Sequence, residues 1–481
     1  MSKPAITSAA IHERARETLA DPHLQGAYSS STLRLFNARL QAIADVPGWV
    51  RLRDRAQALK QEVMDHLDHY LAQFADNVER NGGKVHWAAT GEEACDIVRE
   101  IAQRAGVREV VKAKTMVGEE IELNHALAAA GIRAVETDLG EFMVQLAGDR
   151  PAHIVAPAIH MTRQDTSALF VKHIHSEPTN EPEQLTAIAR RFLRESFQRA
   201  GMGVSGANIA VAETGTIVLV ENEGNIRMCT TAPRVHVALV GIEKLIPRFA
   251  DLGVFLRILG RASTGQRLTT YTSLLTGPRR PGEDGPDEMH VVLIDNGRIA
   301  TLADTKMREV LHCIRCGACL NACPVYRKIG GHAYGWIYSG PIGALVTPQL
   351  AGLEKAQQLP FASSLCGVCR EVCPVKINIP DLLLHLRGKV QEHPRLLAGA
   401  PVSLTERWGM RAWAWVMQRP RLYRLGSRLA RLGQRLLVRQ GWIRKLPMPI
   451  ASHWTEGRDF PALAPKSFHE RWKEISAERR S

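Results

Sequence analysis

The sequence has no apolar run that approaches the length of a membrane span, so no transmembrane helix is predicted. Its first residues carry acidic side chains and lack the basic and then apolar order of a secretion signal, so no signal peptide is expected. It also lacks a G-x-G-x-x-G turn between a strand and a helix, and a G-x-x-x-x-G-K-[ST] loop, so nucleotide binding is not supported. Because no disulfide pattern is present, we expect a cytoplasmic location.

Length and composition describe a globular protein of several domains. A chain of 481 residues is too long for one ordinary domain, and two or three are expected. The apolar fraction of 45% and the charged fraction of 23% are typical of soluble proteins. The net charge of +13 is concentrated near the C-terminus, because the segment 407–445 has eleven Arg and Lys and no Asp or Glu.

Cysteine is placed unevenly, and seven of the nine cysteines lie in two short runs. The first run, CIRCGACLNACP, has the spacing C-x2-C-x2-C-x3-C-P and contains Cys313, Cys316, Cys319 and Cys323. In bacterial ferredoxins this spacing lets three thiolates bind one iron–sulfur cluster while the fourth binds the other. A zinc site usually takes pairs of cysteines separated by a longer loop, so zinc fits the run poorly. We therefore predict iron–sulfur clusters.

The second run, SSLCGVCREVCP, departs from the ferredoxin pattern at one position. It contains Cys366, Cys369 and Cys373, and counting back in ferredoxin register places Ser363 where the first cysteine should be. The segment 325–362 between the runs is also much longer than the hinge of a small ferredoxin. That length predicts a helical ferredoxin-type module in which the clusters lie on loops between helices.

The fourth cysteine of each run is predicted to cross over to the other cluster. Cluster 1, of the [4Fe–4S] type, is assigned to Cys313, Cys316, Cys319 and Cys373. Cluster 2 is assigned to Cys323, Cys366 and Cys369. With three thiolates, cluster 2 is either a [4Fe–4S] cluster with a non-Cys ligand (Ser363, solvent or a partner) or a [3Fe–4S] cluster.

The region before the clusters predicts helices first and an open α/β sheet afterwards. Residues 1–75 read as polar and helical, with apolar side chains at helical spacing from Ala56 to Phe74. From Gly82 onwards, strands alternate with helices, which indicates βαβ units and a parallel sheet. Asn208–Glu221 reads as a β-rich run broken at Thr214 and Gly215. Segment 132–142 reads as strand and loop, and segment 268–275 reads as a strand that precedes an acidic loop rich in Pro and Gly.

Ligands of open α/β sheets bind at the carboxyl ends of the strands. Six polar side chains are candidates for that edge: Lys112, Lys114, Glu141, Glu213, Thr214 and Asn222. None of them belongs to a catalytic motif, and ordinary loop and sheet-edge polarity explains them more simply.

The remaining histidines and cysteines give weaker signals. His173 and His175 are predicted to share one face of a strand, with His160 near them in sequence, but this spacing favours a structural role over metal binding. Cys95 and Cys229 are predicted to be buried thiols.

The basic C-terminal segment predicts an amphipathic helix after Pro420. Arginines recur at intervals of three and four residues at Arg421, Arg424, Arg428, Arg431 and Arg435. Leucines recur in the same way at Leu422, Leu425, Leu429, Leu432 and Leu436. The pattern fits peripheral contact with an anionic membrane or a groove on a partner, and equally leucines packed on the protein's own core. Nucleic acid is not predicted, because no nucleic-acid-binding motif accompanies the charge.

The order of these parts resembles the lactate utilization protein B family. The resemblance rests on SGANIAVAETGTIVLVENEGN at Ser205–Asn225, on the two cysteine runs and on the basic tail. It implies an α/β domain similar to sugar-phosphate isomerase and CoA-transferase-type folds. It also implies an iron–sulfur component of a bacterial system for L-lactate oxidation to pyruvate, with companion proteins and a redox carrier.

The sequence therefore predicts an electron-transfer protein of four regions rather than an enzyme active alone. The regions are an N-terminal helical part at 1–75, an α/β domain at 76–300, a two-cluster helical module at 301–395 and a basic tail at 396–481. The location is the cytoplasm, with contact at the inner face of the membrane if the tail binds lipid. Alternatives are an iron–sulfur subunit of another quinone-linked dehydrogenase and a redox-sensing ligand-binding protein.

Overall fold

The computed structural model describes residues 10–392, 404–446, 455 and 458–479. The chain forms two compact units, Met1–Gly399 and Ala400–Ser481. In the described part of the chain, none of the helices combines the length and the apolar character that a membrane span requires.

The first unit begins with four helices. They are α1 (Ile11–Ala20), α2 (Pro22–Ala44), α3 (Trp49–Asp65) and α4 (Leu67–Arg80). Asp21 starts α2, because its carboxylate accepts the backbone N–H of His23 at 2.8 Å and Pro22 follows it at the first helical position. The predicted helical pattern from Ala56 to Phe74 spans two helices, since the backbone at His66 leaves the helical region.

A six-stranded parallel sheet forms the centre of this unit, in the order β1-β10-β7-β4-β2-β3. The elements up to the fourth strand are β1 (Lys84–Ala88), α5 (Gly91–Arg104), β2 (Glu109–Lys112), α6 (Met116–Glu120), α7 (Leu123–Ala129), β3 (Arg133–Glu136), α8 (Leu139–Ala147), α9 (Arg163–Ile174), α10 (Pro182–Arg199) and β4 (Met202–Ser205). The predicted alternation of strands and helices is confirmed. The loop expected after β3 is helix α8 instead, which Asp138 caps through the N–H of Gly140.

A second sheet of four strands lies beside the first, in the order β8-β5-β6-β9. The elements from here to the cysteine runs are β5 (Ile209–Val211), β6 (Thr216–Glu221), α11 (Asn225–Thr231), β7 (Val235–Gly241), β8 (Leu245–Ile246), α12 (Leu252–Ser263), β9 (Tyr271–Leu275), β10 (Glu288–Ile294) and α13 (Arg298–Ala303). The predicted break in the β-rich run is the turn of the β5–β6 hairpin, where Gly215 has φ +66°.

The spacing G-x-G-x-x-G occurs once at Gly201–Gly206, but it covers β4 and is followed by another strand, so it makes no strand–helix turn. Its middle residue, Gly203, is required by packing rather than by a phosphate. A Cβ atom there would lie 1.7 Å from the carbonyl oxygen of Cys229.

Short helices separated by loops follow the α/β part. They are α14 (Ala318–Ala322), α15 (Pro324–Ile329), α16 (Gly340–Ala351), α17 (Leu353–Ala356), α18 (Val368–Val372) and α19 (Ile379–Glu392). One hydrophobic core joins this module to the N-terminal helices, with Tyr28, Leu59, Phe255 and Leu383 among its buried members. The N-terminal helices are therefore part of the cysteine module's packing.

The second unit is a small, mostly helical structure. Its described elements are α20 (Leu404–Met417), α21 (Pro420–Gly433), β11 (Trp442–Ile443), β12 (Phe460–Pro461) and α22 (Phe468–Glu478). Within this unit the guanidinium of Arg431 lies 3.1 Å from the carboxylate of Glu470 and ties α21 to α22.

Candidate functional site

The first cysteine run folds as a tight loop that ends in a short helix. Arg315 and Gly317 both have positive φ, +59° and +73°, and these two residues turn the backbone around Cys316. A Cβ atom on Gly317 would lie 3.0 Å from the His153 ring, so the loop passes close to the α/β part. Cys319 lies on α14, and Cys323 follows this helix directly, before Pro324 starts the next one.

The second run repeats this loop fifty residues later, as the pair Cys316 and Cys366 shows. Leu365 and Gly367 have φ +55° and +86°, at the positions that correspond to Arg315 and Gly317. Cys369 lies on α18, and Cys373 follows this helix directly. The two runs are thus structural repeats of one another.

Ser363 occupies the position of the missing cysteine and makes that cysteine's hydrogen bond. The backbone N–H of Arg315 donates to Cys313 Sγ at 3.4 Å, and the N–H of Leu365 donates to Ser363 Oγ at 3.1 Å. The Ser363 carbonyl accepts from the guanidinium of Arg387 at 3.0 Å. The serine side chain therefore points as the cysteine of the first run does.

The mutual electrostatic influence of the thiols divides them into two groups. The pKa of Cys316 is raised to about 12, mainly by burial, and the nearby thiols of Cys373 and Cys313 contribute to the rise. The pKa of Cys369 is also raised to about 12, mainly by burial, and there the thiols that contribute to the rise are Cys323 and Cys366.

The pKa of Cys319 is influenced by thiols of both groups. Burial raises its pKa well above the ordinary value, and the neighbouring thiols that add to this are Cys316, Cys313, Cys369 and Cys373. The structure therefore brings all seven cysteines of the two runs into one locality. Cys366 is the exposed member, whereas Cys319 and Cys373 are buried.

The donor set fits iron–sulfur clusters. Thiolate sulfur is the ligand that these clusters prefer, and backbone N–H groups that point at cysteine sulfur stabilise the added electron. Such bonds run from Tyr326 N to Cys323 Sγ at 3.4 Å and from Ile377 N to Cys373 Sγ at 3.3 Å. A bound cluster supplies one-electron transfer.

Two arginines from the N-terminal helices lie against the second run, which the sequence did not indicate. The Arg39 guanidinium, on α2, donates to the Val372 carbonyl at 3.1 Å. The Arg53 guanidinium, on α3, donates to the Cys373 carbonyl at 2.7 Å. Burial lowers the pKa of Arg39, and the nearby thiols of Cys316 and Cys373 counteract this. These cations therefore face the group of thiols that includes Cys373.

A buried ionic network joins the α/β part to the module. The Arg298 guanidinium makes two parallel bonds of 2.8 Å to the Glu120 carboxylate and one of 2.5 Å to Glu243 Oε2. Tyr338, from the module, donates its hydroxyl to Glu120 at 2.7 Å. Arg315 lies 3.5 Å from the second oxygen of Glu243, so one residue of the first run belongs to the network.

A cavity of about 210 Å³ lies between the carboxyl edge of the large sheet and the first run. Its wall includes Lys114 after β2, Asp138 after β3 and Gly206 after β4. On the other side it includes Arg315 and Cys316. The cavity therefore combines the usual ligand position of an open α/β sheet with direct contact to a cysteine of the first run.

The six polar candidates fall at three separate places. Lys114 and Asn222 line the cavity just described. Glu213 and Thr214 lie at the β5–β6 turn, where the Glu213 carboxylate accepts the backbone N–H of Phe249 at 2.8 Å.

Lys112 and Glu141 belong to a buried cluster behind the sheet edge. The Lys112 ammonium is 2.6 Å from Glu119 and 2.8 Å from Glu136. Burial and the charges of Glu136 and Glu119 raise the pKa of Glu141 well above its ordinary value. The cluster therefore contains three carboxylates and one ammonium. A proton on Glu141 would reduce its net negative charge by one.

The histidine prediction is wrong in its geometry. His173 lies on helix α9 and His175 ends that helix with φ +54°, so the two do not share a strand face. Helical periodicity and a Thr162–Asp165 capping box outweigh the local β pattern there. His160 instead lies beside Asp149, at 3.2 Å, and its ring packs against that of His332.

The two isolated cysteines are buried, as predicted. The Cys95 thiol donates to the Ile121 carbonyl at 3.2 Å, and Cys229 lies 3.3 Å from the Thr137 hydroxyl. Burial raises the pKa of Cys229 to about 12, which makes it an inert thiol.

The basic helix of the second unit exposes both of its faces. No side chain of α21 is buried. The exposed leucines of this helix and the turn after it are Leu425, Leu429, Leu432 and Leu436.

Comparison with known proteins gives matches along almost the entire chain. The LUD domain model matches residues 71–294, the 4Fe-4S dicluster domain model matches residues 309–377, and the model of the lactate utilisation protein B C-terminal region matches residues 385–476. Lactate utilization protein B of Bacillus licheniformis is 43% identical over 460 residues, which cover 95% of each chain. The chain belongs to the lactate utilization protein B family.

Other relatives of this family member carry different descriptions. "Uncharacterized electron transport protein YkgF" of Escherichia coli is 41% identical, over 97% of this chain and 96% of its own. A solved DUF162 family protein from Deinococcus radiodurans aligns with 47% of this chain and 98% of its own, at 14% identity and a TM-score of 0.29.

The family matches establish the order of parts. A parallel α/β LUD domain is followed by a 4Fe-4S dicluster module and a helical C-terminal region. Both cysteine runs lie inside the match to the dicluster model, so this member of the lactate utilization protein B family is an iron–sulfur protein.

Proposed function

We propose that this protein transfers electrons during the oxidation of L-lactate to pyruvate, together with companion lactate-utilization proteins. The observation that carries the proposal is the pair of repeated cysteine loops, with seven thiols in one locality beside an α/β domain of the LUD family. The similarity to lactate utilization proteins supports lactate as the substrate, and the chemistry of the thiols supports electron transfer.

Cluster 1 is assigned to Cys313, Cys316, Cys319 and Cys373, and cluster 2 to Cys323, Cys366 and Cys369. The pKa shifts of Cys316 and Cys369 support this division, because the thiols that raise each pKa belong to the same group as that cysteine. Backbone bonds to Cys313, Cys323 and Cys373 support ligation at those sulfurs.

Cluster 2 is proposed to be either a [4Fe–4S] cluster with a non-Cys ligand or a [3Fe–4S] cluster. The Ser363 hydroxyl, which has the orientation of the Cys313 sulfur, is the protein ligand best placed to complete it. A serine hydroxyl is a harder ligand with a much higher pKa than a thiol, so this iron is the one most easily lost.

The chain is proposed to act with partners rather than alone. Its sequence has no motif for binding a nicotinamide or flavin, so the chemistry that removes two electrons from lactate is assigned to a companion protein. A further redox carrier receives the electrons.

The second unit is proposed to attach the protein to a partner or to the inner face of the membrane. The arginines of α21 supply positive charge, and its exposed leucines supply an apolar face. Electrostatic attachment of this kind would leave the protein in the cytoplasm when salt screens it.

Reconstitution tests the proposed function. Anaerobically purified protein should contain about seven to eight irons, since two clusters of three or four irons are assigned. Lactate should reduce these clusters when the companion proteins are present and should not do so with this chain alone. Zinc without visible absorption, or robust lactate oxidation by the isolated chain with an artificial acceptor, would contradict the proposal.

The same experiment separates two other functions. An iron–sulfur subunit of another quinone-linked dehydrogenase would be reduced by a different substrate and not by lactate. A redox-sensing protein would keep its clusters unreduced by any substrate of the complex, although added dithionite would still reduce them.

A further inference from the structure

We propose that Asp149, His160 and His332 bind a divalent transition-metal ion, for which Zn²⁺ is the test ion, at a site that uses none of the seven cysteines. One donor atom from each of the three side chains lies within 4.8 Å of the others. Two imidazoles and one carboxylate are donors that zinc accepts, and three protein ligands leave a fourth position for water. The proposal goes beyond electron transfer and does not depend on it.

The spacing of the donor atoms fits one ion. His160 Nε2 lies 3.2 Å from Asp149 Oδ2, and His332 Nε2 lies 3.7 Å from Asp149 Oδ1. Zinc–ligand bonds of roughly 2.0–2.2 Å at tetrahedral angles place neighbouring donors about 3.4 Å apart. The two measured separations lie on either side of this value, so small side-chain movements would let an ion bind between the donors.

His160 has no hydrogen bond that metal binding would break. It is 7% exposed, and neither of its ring nitrogens makes a hydrogen bond with any described residue. Its Nε2 faces the Asp149 carboxylate at 3.2 Å, but not along the line that a hydrogen bond requires. Because a metal ion lies off the line that joins two of its ligands, this misalignment fits metal binding better than a structural histidine–carboxylate bond.

His332 has a competing partner that an ion would displace. Its Nε2 lies 2.8 Å from the Arg150 carbonyl oxygen, to which it donates when that nitrogen carries the proton. A neutral imidazole can carry its proton on Nδ1 instead, which frees Nε2 to bind a metal. Binding at His332 therefore requires a change of tautomer and the loss of one hydrogen bond.

The three ligands come from two parts of the first unit. Gly148 ends α8 with φ +65°, and the N–H of Asp149 donates to the Val144 carbonyl at 3.0 Å. His160 lies in the loop that precedes α9, whereas His332 starts a short 3₁₀ helix between the two cysteine runs. A bound ion would therefore tie the α/β part to the cluster module.

The site is accessible and is not strongly acidic. The side chains of Asp149 and His332 are 39% and 33% exposed, so an ion can enter from solvent. Asp149 is the one carboxylate of the set, Arg150 follows it in the chain, and the Arg14 guanidinium donates to the Ala333 carbonyl at 3.1 Å. Mg²⁺ and Ca²⁺ need several oxygen ligands, whereas imidazole suits Zn²⁺ and its first-row neighbours. The donors therefore predict selectivity for transition metals over Mg²⁺ and Ca²⁺.

Zinc binding to the full-length, cluster-loaded protein tests the proposal under anaerobic conditions. After treatment with a chelator and desalting, titration with Zn²⁺ in excess Mg²⁺ should show a single saturable site with a Kd of about 1 μM or tighter. X-ray absorption at the zinc edge should show nitrogen and oxygen ligands at about 2.0–2.2 Å and no sulfur at about 2.3 Å. Absence of a saturable site, displacement of Zn²⁺ by Mg²⁺, or sulfur ligands would overturn the assignment.

Variants that keep the cysteines intact make the test specific. Asp149→Asn and His332→Gln should each weaken Zn²⁺ binding by roughly 100-fold or more, because loss of a group that only orients a ligand already costs roughly 10–100-fold. His173→Gln, at an exposed histidine on α9, is the matched control and should leave the affinity unchanged. Iron content and cluster absorption would be measured for each variant, and a loaded His332→Gln protein that keeps its zinc affinity would refute the site.

Hydrogen exchange tests whether the ion joins the two parts. Zn²⁺ should slow exchange both in the loop 149–161 and in the segment 331–335, and protection confined to the loop would remove His332 from the site. Zinc binding is measured without lactate or companion proteins, so its failure would leave the electron-transfer proposal standing. Clusters that lactate never reduces in the reconstituted complex would likewise leave the metal site standing.

Discussion

Replacement of Arg39 by glutamine should lower the reduction potential of cluster 1. Arg39 is buried on α2, and its guanidinium donates to the Val372 carbonyl, one residue before Cys373. Guanidinium groups stay protonated in proteins, so the side chain holds a fixed positive charge there. A positive charge favours the reduced cluster, and its removal makes an added electron less stable.

The size of the shift follows from Coulomb's law. For an assumed separation on the order of 7.5 Å and an effective dielectric constant of roughly 20, a unit charge contributes about 2.2 kcal/mol. For a one-electron couple this corresponds to roughly 90 mV, since about 1.4 kcal/mol equals 59 mV. The expected result is therefore a fall of several tens of millivolts in cluster 1.

A redox titration followed by electron paramagnetic resonance measures both clusters in one sample. Arg39→Lys keeps the charge and should keep most of the potential, and Arg34→Gln, at an exposed arginine of the same helix, should change neither cluster. An Arg39→Gln protein with both clusters loaded and no fall in cluster 1, or an equal fall in cluster 2, would refute the placement of this charge.

Three further changes probe other parts of the molecule. Ser363→Cys should complete the four-thiolate set and protect the iron that cluster 2 loses in air, whereas Cys373→Ser should damage cluster 1; a Cys373→Ser protein that is altered only in cluster 2 would mean that the ligand pairing is wrong. Removal of the chain from residue 407 onwards should weaken binding to anionic vesicles or to the partner, in a salt-dependent way, and leave both clusters intact; unchanged binding would favour packing of the leucines within the protein. Arg298→Met should reduce the free energy of unfolding by about 3–5 kcal/mol, because it removes the cationic partner of the buried Glu120 and one of the two cationic partners of the buried Glu243; chemical denaturation would measure this, with Arg99→Met, at a partly exposed arginine on α5, as the control that should change it little.

Local patterns in the sequence predicted the parts of the structure that depend on local order. The alternation of strands and helices gave the parallel sheet, because side-chain periodicity reports which face each element buries. The cysteine runs and the long segment between them predicted cluster loops between helices, and the register of the second run identified Ser363. The same local reading failed at His173, where helix capping at Thr162 sets the structure.

Contacts between distant segments could not be predicted in this way. Arg39 and Arg53 contact the second run from more than three hundred residues away in sequence. The wall of the cavity brings together Lys114, Arg315 and Asn225, which lie on three different segments. No periodicity marks such residues, since their meeting depends on how the α/β part and the module pack together.

The repetition of the cysteine loop also has a consequence for folding. If Cys319 and Cys373 bind one cluster, as assigned here, the chain between them becomes a closed ring of roughly fifty residues, which contains α15, α16, α17 and α18. Closing a loop of that length removes about 4 kcal/mol of chain entropy from the unfolded state. Insertion of cluster 1 would therefore stabilise the helices inside the ring, including those that carry no ligand.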